Sequence, residues 1–337
     1  MATIKDVAHE AGVSPSTVSR TLHDSSLISQ ETKAKIWRAM KKLNYSPNFA
    51  AQNLANNTSN IIGIILPPDE ESVANNPFFG QILQGITSVC NQQAYMVSIA
   101  TGKDNAELIE NVQMMMERGR VKRFIVTFSQ QSDDVLEYLD RNNAEYVLIG
   151  EPIKNIAETL YVNNDNVAAG NDATEYLFDK GYHYPVYVYE NLEEIVQKDR
   201  FSGYSHAMER KGKTPLNYQI KKDHTKEKLQ EFIDQHPEAD SMVACDDIIG
   251  VALQNGLLAI HQNLDDYGII SFNNSLFARS THPSLTSVEI FPISLGMEAA
   301  VLILNIDDQD FTRLRSTNFS HVVIPHKIIE RESTKNN

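Results

Sequence analysis

Residues 3–22 read TIKDVAHEAGVSPSTVSRTL, and this stretch decides the N-terminal fold. Thr3 is suited to cap a helix, with Asp6 three residues later as a weak form of the capping box. Ile4, Val7, Ala8 and Ala11 follow at helical spacing. Gly12 supplies the left-handed residue that ends this helix. Ser14 then caps a second helix, with Pro15 in its first turn, where no amide donor is needed. Val18 and Leu22 point inward, which leaves Pro15, Ser16, Ser19 and Arg20 on the other face. Two short helices joined by a glycine-containing turn are the helix-turn-helix signature. Small hydrogen-bonding groups on the outer face of the second helix suit the edges of bases. The competing reading is an ordinary helical hairpin in an enzyme.

Charge separates this stretch from the rest of the chain. Residues 1–58 carry seven Lys/Arg against four Asp/Glu, a net +3. The whole chain carries -14, so the remainder carries -17. A basic head can meet phosphates while an acidic body discourages indiscriminate association with DNA. The 337 residues suffice for two or three domains, and 42% hydrophobic with 22% charged content is that of a globular protein. No apolar run is long enough to span a membrane, and the N-terminus lacks a basic region followed by an apolar stretch. Cys90 and Cys245 stand far apart without metal-ligand spacing. Together these features predict a cytoplasmic protein with no cofactor and no metal.

Beyond the opening stretch, Ser29 is suited to cap a third helix over 31–43, with Ala34, Ile36, Met40 and Leu43 closing a small core. Trp37 reads as core or rim packing, and Lys33, Lys35, Lys41 and Lys42 as a solvated face or phosphate contacts. Pro47 stops that helix. A short alanine-rich helical stretch follows from Asn48 to Ala55. Ala51 and Ala55 share a face at i, i+4 and permit close approach of a symmetry mate. Such a helix is marginal alone and should form only when two copies meet on DNA. The alternative is a flexible linker.

From Asn60 onward, apolar strand-like runs alternate with amphipathic helices. Strands are predicted over 61–66, 95–100, 123–127, 146–149, 185–189, 242–244 and 267–271. Helices are predicted over 79–91, 105–117, 133–141, 166–180, 200–210, 226–234 and 248–261. The fold class is therefore α/β: an all-α helix-turn-helix headpiece followed by a core of doubly wound parallel sheets. Roughly 270 residues of alternation imply two lobes, and ligands in such sheets bind at the carboxyl ends of strands. Asn76 to Phe79, Asp246 and Asn273 fall at such ends, and Arg200 lies at a helix start. Arg200, Asp246 and Asn273 offer planar donors and acceptors for adjacent hydroxyls, and Phe78 and Phe79 a flat surface for a sugar's CH face. Each has a bland alternative: core for the phenylalanines, a helix cap for Asp246, a surface ion pair for Arg200. No glycine-rich phosphate loop, HExxH, CxxC or GxSxG is present, so an enzyme is not expected.

The run IKDVAHEAGVSPSTVSRTL, with Ile28-Ser29-Gln30-Glu31-Thr32 and LNYSPNFAAQNLA at 43–55, closely resembles the DNA-binding headpiece of the LacI/GalR family of bacterial repressors. The resemblance implies a second helix in the major groove with Pro15, Ser16 and Arg20 at base-reading positions. It also implies a hinge helix whose Leu54 wedges into the minor groove and kinks a pseudo-palindromic operator. The DNA-contacting set is then Thr3, Ser14, Pro15, Ser16, Thr17, Ser19 and Arg20, with Asn48, Ala51, Leu54 and Ala55 in the hinge.

The body shares the family's marks at Asn76-Pro77-Phe78-Phe79, 162–166, 200–204, Asp246-Asp247, 269–274 and 283–286. They imply a two-lobed periplasmic-binding-protein-like core with three crossings, near Tyr161, Ile290 and His321. Expected boundaries are headpiece 1–46, hinge and linker 47–59, and core 60–337. Within the core, the N-lobe takes about 60–160 and 291–320, and the C-lobe about 161–290 and 321–332. The resemblance assigns effector contacts to Phe78, Phe79, Arg200, Asp246 and Asn273. Two departures matter. Asn273 stands where many members have an aspartate, making a charged ligand contact there less favourable. Ile290, followed by Phe291, stands where many have a glutamine, giving an apolar, aromatic wall.

The ISFNNS and NPFF stretches are most similar to the maltose-operon repressor branch, implying maltose or a related α-glucoside as effector. No leucine heptads follow the last strand, so a homodimer is expected. Two further readings stay open: a plain sugar-binding module, and a regulator answering to another metabolite or a partner protein.

Overall fold

The structure, a computed structural model, describes residues 2–22, 25, 27–45, 60–130, 134–220, 226–305 and 321–334. The chain divides into two compact units, Met1–Ser59 and Asn60–Asn337. The short helix expected over 48–55 lies outside the described residues.

The first unit packs helices α1 (Ile4–Ala11), α2 (Pro15–Leu22) and α3 (Gln30–Lys42) around Val7, Val18 and Ile36, all fully buried. The cap at Thr3 is a full capping box, not a weak one. Asp6 N–H donates to Thr3 Oγ1 at 3.4 Å, and Thr3 N–H donates to the Asp6 carboxylate at 2.7 Å. That amide bond holds the Asp6 carboxyl below its ordinary range. Gly12 closes α1 at φ 67°, as a left-handed cap requires. The inward stripe of α3 is Lys33, Ile36, Met40 and Leu43, with Ala39 beside it. Ala34 and Trp37 each sit one position round from that stripe, so Ala34 is exposed and Trp37 is 50% exposed, against the expectation of core or rim. Lys33, expected on a solvated face, is buried.

In the second unit, β1 (Ile61–Ile65), β2 (Met96–Ala100), β3 (Arg123–Val126), β4 (Glu145–Ile149) and β5 (Leu160–Asn164) join β11 (His321–Ile324) in a sheet ordered β11-β5-β4-β3-β1-β2. A second sheet takes β6 (Pro185–Tyr189), β7 (Asn217–Gln219), β8 (Ser241–Ala244), β9 (Gly268–Phe272), β10 (Thr286–Glu289) and β12 (Lys327–Ile329), ordered β12-β10-β9-β8-β6-β7. Every pairing is parallel except β10 with β12. Alternate residues of β3 feed opposite faces: Ile125 enters one core cluster, Phe124 and Val126 another. Both faces are covered by helices, which is why these strands read as continuous apolar runs. No helix among the described residues is long and apolar enough to cross a membrane.

The sheets are linked by three crossings: between β5 and the next helix, after β10, and between β11 and β12. The second falls at Ile290, where the sequence put it. The others lie a strand later than read. β5 and β11, whose residues were assigned to the second lobe, pair with each other in the first sheet, where β5 also pairs with β4. The boundary slipped at β5 because a polar stretch, 151–159, precedes it and resembles a linker. At β11 only alternate residues turn inward, so its apolar signal is weak.

Candidate functional site

On α2, the outer face carries Pro15, Ser16 and Arg20, all exposed, with Thr17 and Ser19 partly so. The Ser14 hydroxyl accepts the Thr17 N–H at 3.2 Å and lies 2.7 Å from Ser16 Oγ. Thr21, passed over in the sequence, is buried and its hydroxyl donates to Thr17 O at 3.0 Å, so the inward face is Val18–Thr21–Leu22. Arg20 is exposed, and among the described residues no carboxylate pairs with it. Thr3 is exposed with its hydroxyl engaged in the cap. Asn48, Ala51, Leu54 and Ala55 lie outside the described residues.

Between the two lobes of the second unit lies a cleft of about 360 Å³. Phe78, Phe79, Arg200, Asp246 and Asn273 all line it. Phe78 and Phe79 open helix α5 (Pro77–Gln92), capped by Asn76, and meet edge to face with centroids 5.3 Å apart. Both are half-buried, and Phe78 packs against the cores of both lobes, so the core and cleft readings hold together. Asp246 likewise satisfies both readings. Its carboxylate accepts the Ile249 N–H at 2.8 Å, capping helix α11 (Asp247–Ala259), and it faces the cleft. Burial, with Asp247 alongside, pushes its carboxyl up to about 6. Asp247 turns into the core, where Ser271 and Ser287 hydroxyls donate to it at 2.5 and 2.7 Å and Ser275 N–H at 2.6 Å.

Arg200 is no surface ion-pair residue; it is 3% exposed. It sits in the second turn of α9 (Ile195–Arg210), which begins five residues before the predicted start. Its Nε donates to Asn166 Oδ1 at 3.1 Å, one Nη donates to Cys245 O at 2.7 Å, and its carbon centre lies 4.2 Å from the Phe272 ring centroid. Desolvation lowers its pKa. The helix that carries it is pressed onto α8 (Asn166–Asp179). A Cβ at Gly203 would lie 1.9 Å from Val167 O, and one at Gly170 would lie 2.1 Å from Arg200 O. Asn273 sits at φ 96° at the end of β9, a left-handed geometry that asparagine tolerates better than most residues. Asn274 points away, its amide donating to Glu289 at 2.7 Å and its oxygen accepting from Arg331. Ile290 lines the cleft, but Phe291 does not and is 37% exposed, so the wall is apolar without that second aromatic ring.

Sequence reasoning missed the cleft's acidity. Asp69, Glu151, Glu190, Glu194 and Asp199 line it with Asp246, and Arg200 is the one cation among its described lining. Burial raises the Glu194 carboxyl and pushes Asp199 up to about 6, helped by nearby Glu190 and Glu151 respectively. The excess charge of the body was visible, but which acids face inward depends on the packing of both lobes. Also missed were Asn163, Asn164 and Asn166, quoted as family marks but given no role. Among the described residues, no group of three or more His, Cys, Asp or Glu could hold a metal ion.

Residues 3–48 match the family described as bacterial regulatory proteins, lacI family. Residues 59–330 match periplasmic binding proteins and sugar binding domain of LacI family. The HTH-type transcriptional regulator MalR of Staphylococcus xylosus is 34% identical over 340 residues, covering 99% of this chain and 98% of its own. That of Streptococcus pneumoniae serotype 4 is 33% identical over 337 residues, covering 98% and 99%. The crystal structure of the lac repressor dimer bound to operator and the anti-inducer ONPF superposes with a TM-score of 0.79 at 19% identity, over 99% of both chains.

Proposed function

The chain belongs to the LacI family of bacterial regulatory proteins, and from that premise we propose that it represses a sugar-utilisation operon under control of maltose or a related neutral α-glucoside. It is a DNA-binding, sugar-responsive transcriptional repressor and not an enzyme. The finer reading assigns base contact to the outer face of α2 and effector contact to the cleft of the second unit.

The observation that carries the effector reading is the charge of the cleft. Six carboxylates and one guanidinium line it among the described residues. At an effective dielectric of about 20, like charges about 6 Å apart repel by roughly 3 kcal/mol. A phosphorylated sugar or nucleotide would meet several such repulsions and one partner. Neutral hydroxyls instead donate to carboxylates, and Arg200 and Asn273 donate to ring and hydroxyl oxygens. Phe78 and Phe79 offer the apolar face that a pyranose needs. The volume of about 360 Å³ falls within the roughly 300–1,000 Å³ usual for small-ligand sites. Full-length relatives called MalR and the ISFNNS and NPFF stretches favour an α-glucoside.

In this reading the sugar bridges the lobes and shifts their relation, and the two lobe arrangements present the headpieces differently to DNA. Sugar changes operator affinity only if it binds those arrangements unequally, and DNA must then change sugar affinity by the same factor. Two copies acting on a pseudo-palindrome would pair through an apolar face such as Leu258, Leu276 and Phe277, which are 51%, 68% and 40% exposed on α11 and α12 (Leu276–Ser280). The test is a thermal-shift screen of mono- and disaccharides with phosphorylated counterparts. Maltose should raise the melting temperature by mass action and glucose 6-phosphate should not. Stabilisation by the phosphorylated sugar alone would refute the neutral-ligand reading.

A further inference from the structure

Arg200 and the crossings between lobes are joined by a chain of asparagine amides. Arg200 Nε donates to Asn166 Oδ1 at 3.1 Å. Asn166 Nδ2 donates to Asn163 Oδ1 at 3.1 Å and to Asn164 O at 3.3 Å. Asn164 Nδ2 donates in turn to the carbonyls of Ile290 and Ile324, both at 3.0 Å. Those residues mark the three crossings: Asn164 ends β5, Ile290 follows β10, and Ile324 ends β11. One buried amide therefore fastens all three crossings, and Asn166 alone stands between it and the guanidinium. Both asparagines are 4% exposed.

The hydrogen-bond roles are forced. Arginine has donors only, so Asn166 must turn its oxygen to Arg200 and its NH₂ to the crossing. Asn164 meets two carbonyls and must present its NH₂ to both. Sliding of α9 along α8 cannot absorb a displacement of the Arg200 backbone, because the two helices touch backbone to backbone at Gly170 and Gly203. A shift of Arg200 is passed to the start of α8, where Asn166 sits one residue past its cap, Asp165.

We propose that Asn166 is a positioning residue that fixes the Arg200 guanidinium for the sugar and relays its position to the Asn164 fastening of the three crossings. The proposal rests on reading the cleft as the effector site. Asn166→Ala removes the acceptor for Arg200 and the donors to the crossing. In the full chain it should weaken maltose binding about tenfold, the worth of one hydrogen bond to a charged group. At saturating maltose, the ratio of operator affinities without and with sugar should also move toward one. Weaker binding with the full wild-type ratio at saturation would overturn the relay.

A second arm needs no sugar. Arg200→Lys keeps the charge but has no Nε–H to give Asn166. Each single variant should raise amide hydrogen exchange at all three crossings, over 160–166, 288–292 and 321–326, while β8 and the centre of β1 stay protected. The double variant Asn166→Ala/Arg200→Lys should add nothing further. Additive effects, or a rise confined to the start of α8, would overturn the proposal. A wild-type chain indifferent to maltose, with coupled exchange intact, counts against the maltose reading and leaves the relay standing.

Discussion

Arg20 and Arg200 stand in opposite surroundings. Arg20 is exposed on an eight-residue helix, and one glycine turn and a handful of neighbours fix its direction. Arg200 is buried and held by Asn166, Cys245 and Phe272, which come from three separate stretches of the chain. A guanidinium that contacts DNA, the role proposed for Arg20, can stay solvated until phosphates or bases replace its water. One meant for a small neutral ligand must be aimed beforehand, because the ligand supplies too little binding free energy to order it. The headpiece is thus a local device and the cleft a long-range one.

The contrast is sharpest in a reciprocal pair of substitutions. Arg200→Ala should weaken maltose binding by roughly 100-fold, as expected when a buried hydrogen-bonded charge is removed. Arg20→Ala should weaken operator binding by about 10- to 100-fold, the range for one base-reading side chain, and leave the maltose-induced thermal shift in place. Titrations of both variants with sugar and with DNA test this; loss of both activities in either one breaks the division.

Gly203→Ala comes next. Its Cβ would strike Val167 O, so α8 and α9 must part, at a cost of about 1–3 kcal/mol seen as a lower melting temperature. The same move displaces Arg200 and should weaken maltose binding, whereas a headpiece substitution of similar cost should not. The wedge role that the family resemblance implies for Leu54 predicts that Leu54→Ala lowers operator affinity several-fold and leaves calorimetric maltose affinity unchanged.

The smallest effect concerns protons. The Asp246 carboxyl titrates at about 6 in the folded chain against an ordinary 3.8. Its stabilising contribution is complete below about pH 4 and is lost as pH rises through about 6. Asp246→Asn keeps an N-cap side chain and never ionises. The variant should therefore melt above wild type at pH 7, and the gap should close at pH 4. Sugar hydroxyls donate best to the ionised form, so wild-type maltose affinity should fall as pH drops through about 6, and the Asn variant should lose only the share that Asp246 contributes, because the Asp199 carboxyl in the same cleft is also pushed up to about 6.

The headpiece was legible because its signals are local: a capping residue, a glycine, a proline and helical spacing all lie within twenty residues. Even there, Trp37 and Ala34 were misplaced, because each lies one position, about 100° round the helix, from a residue that is buried, Ile36 and Lys33. In the core, the parallel sheets were legible from apolar runs, but edge strand β11 and three-residue β7 and β12 carry too little signal. Five cleft residues were found through the family's motifs. The acidic lining and the amide chain from Arg200 to Asn164 were not, since each depends on which of many Asp, Glu and Asn side chains the closed packing turns inward.

The most direct measurement is fluorescence anisotropy of an operator fragment, selected from random-sequence DNA by the purified chain, titrated with protein in the presence and absence of saturating maltose. Operator affinity should change by at least about fivefold, within the usual range of allosteric coupling, and the change should be lost in Arg200→Ala. Identical binding curves with and without maltose, under conditions where calorimetry shows the cleft filled, would contradict that coupling.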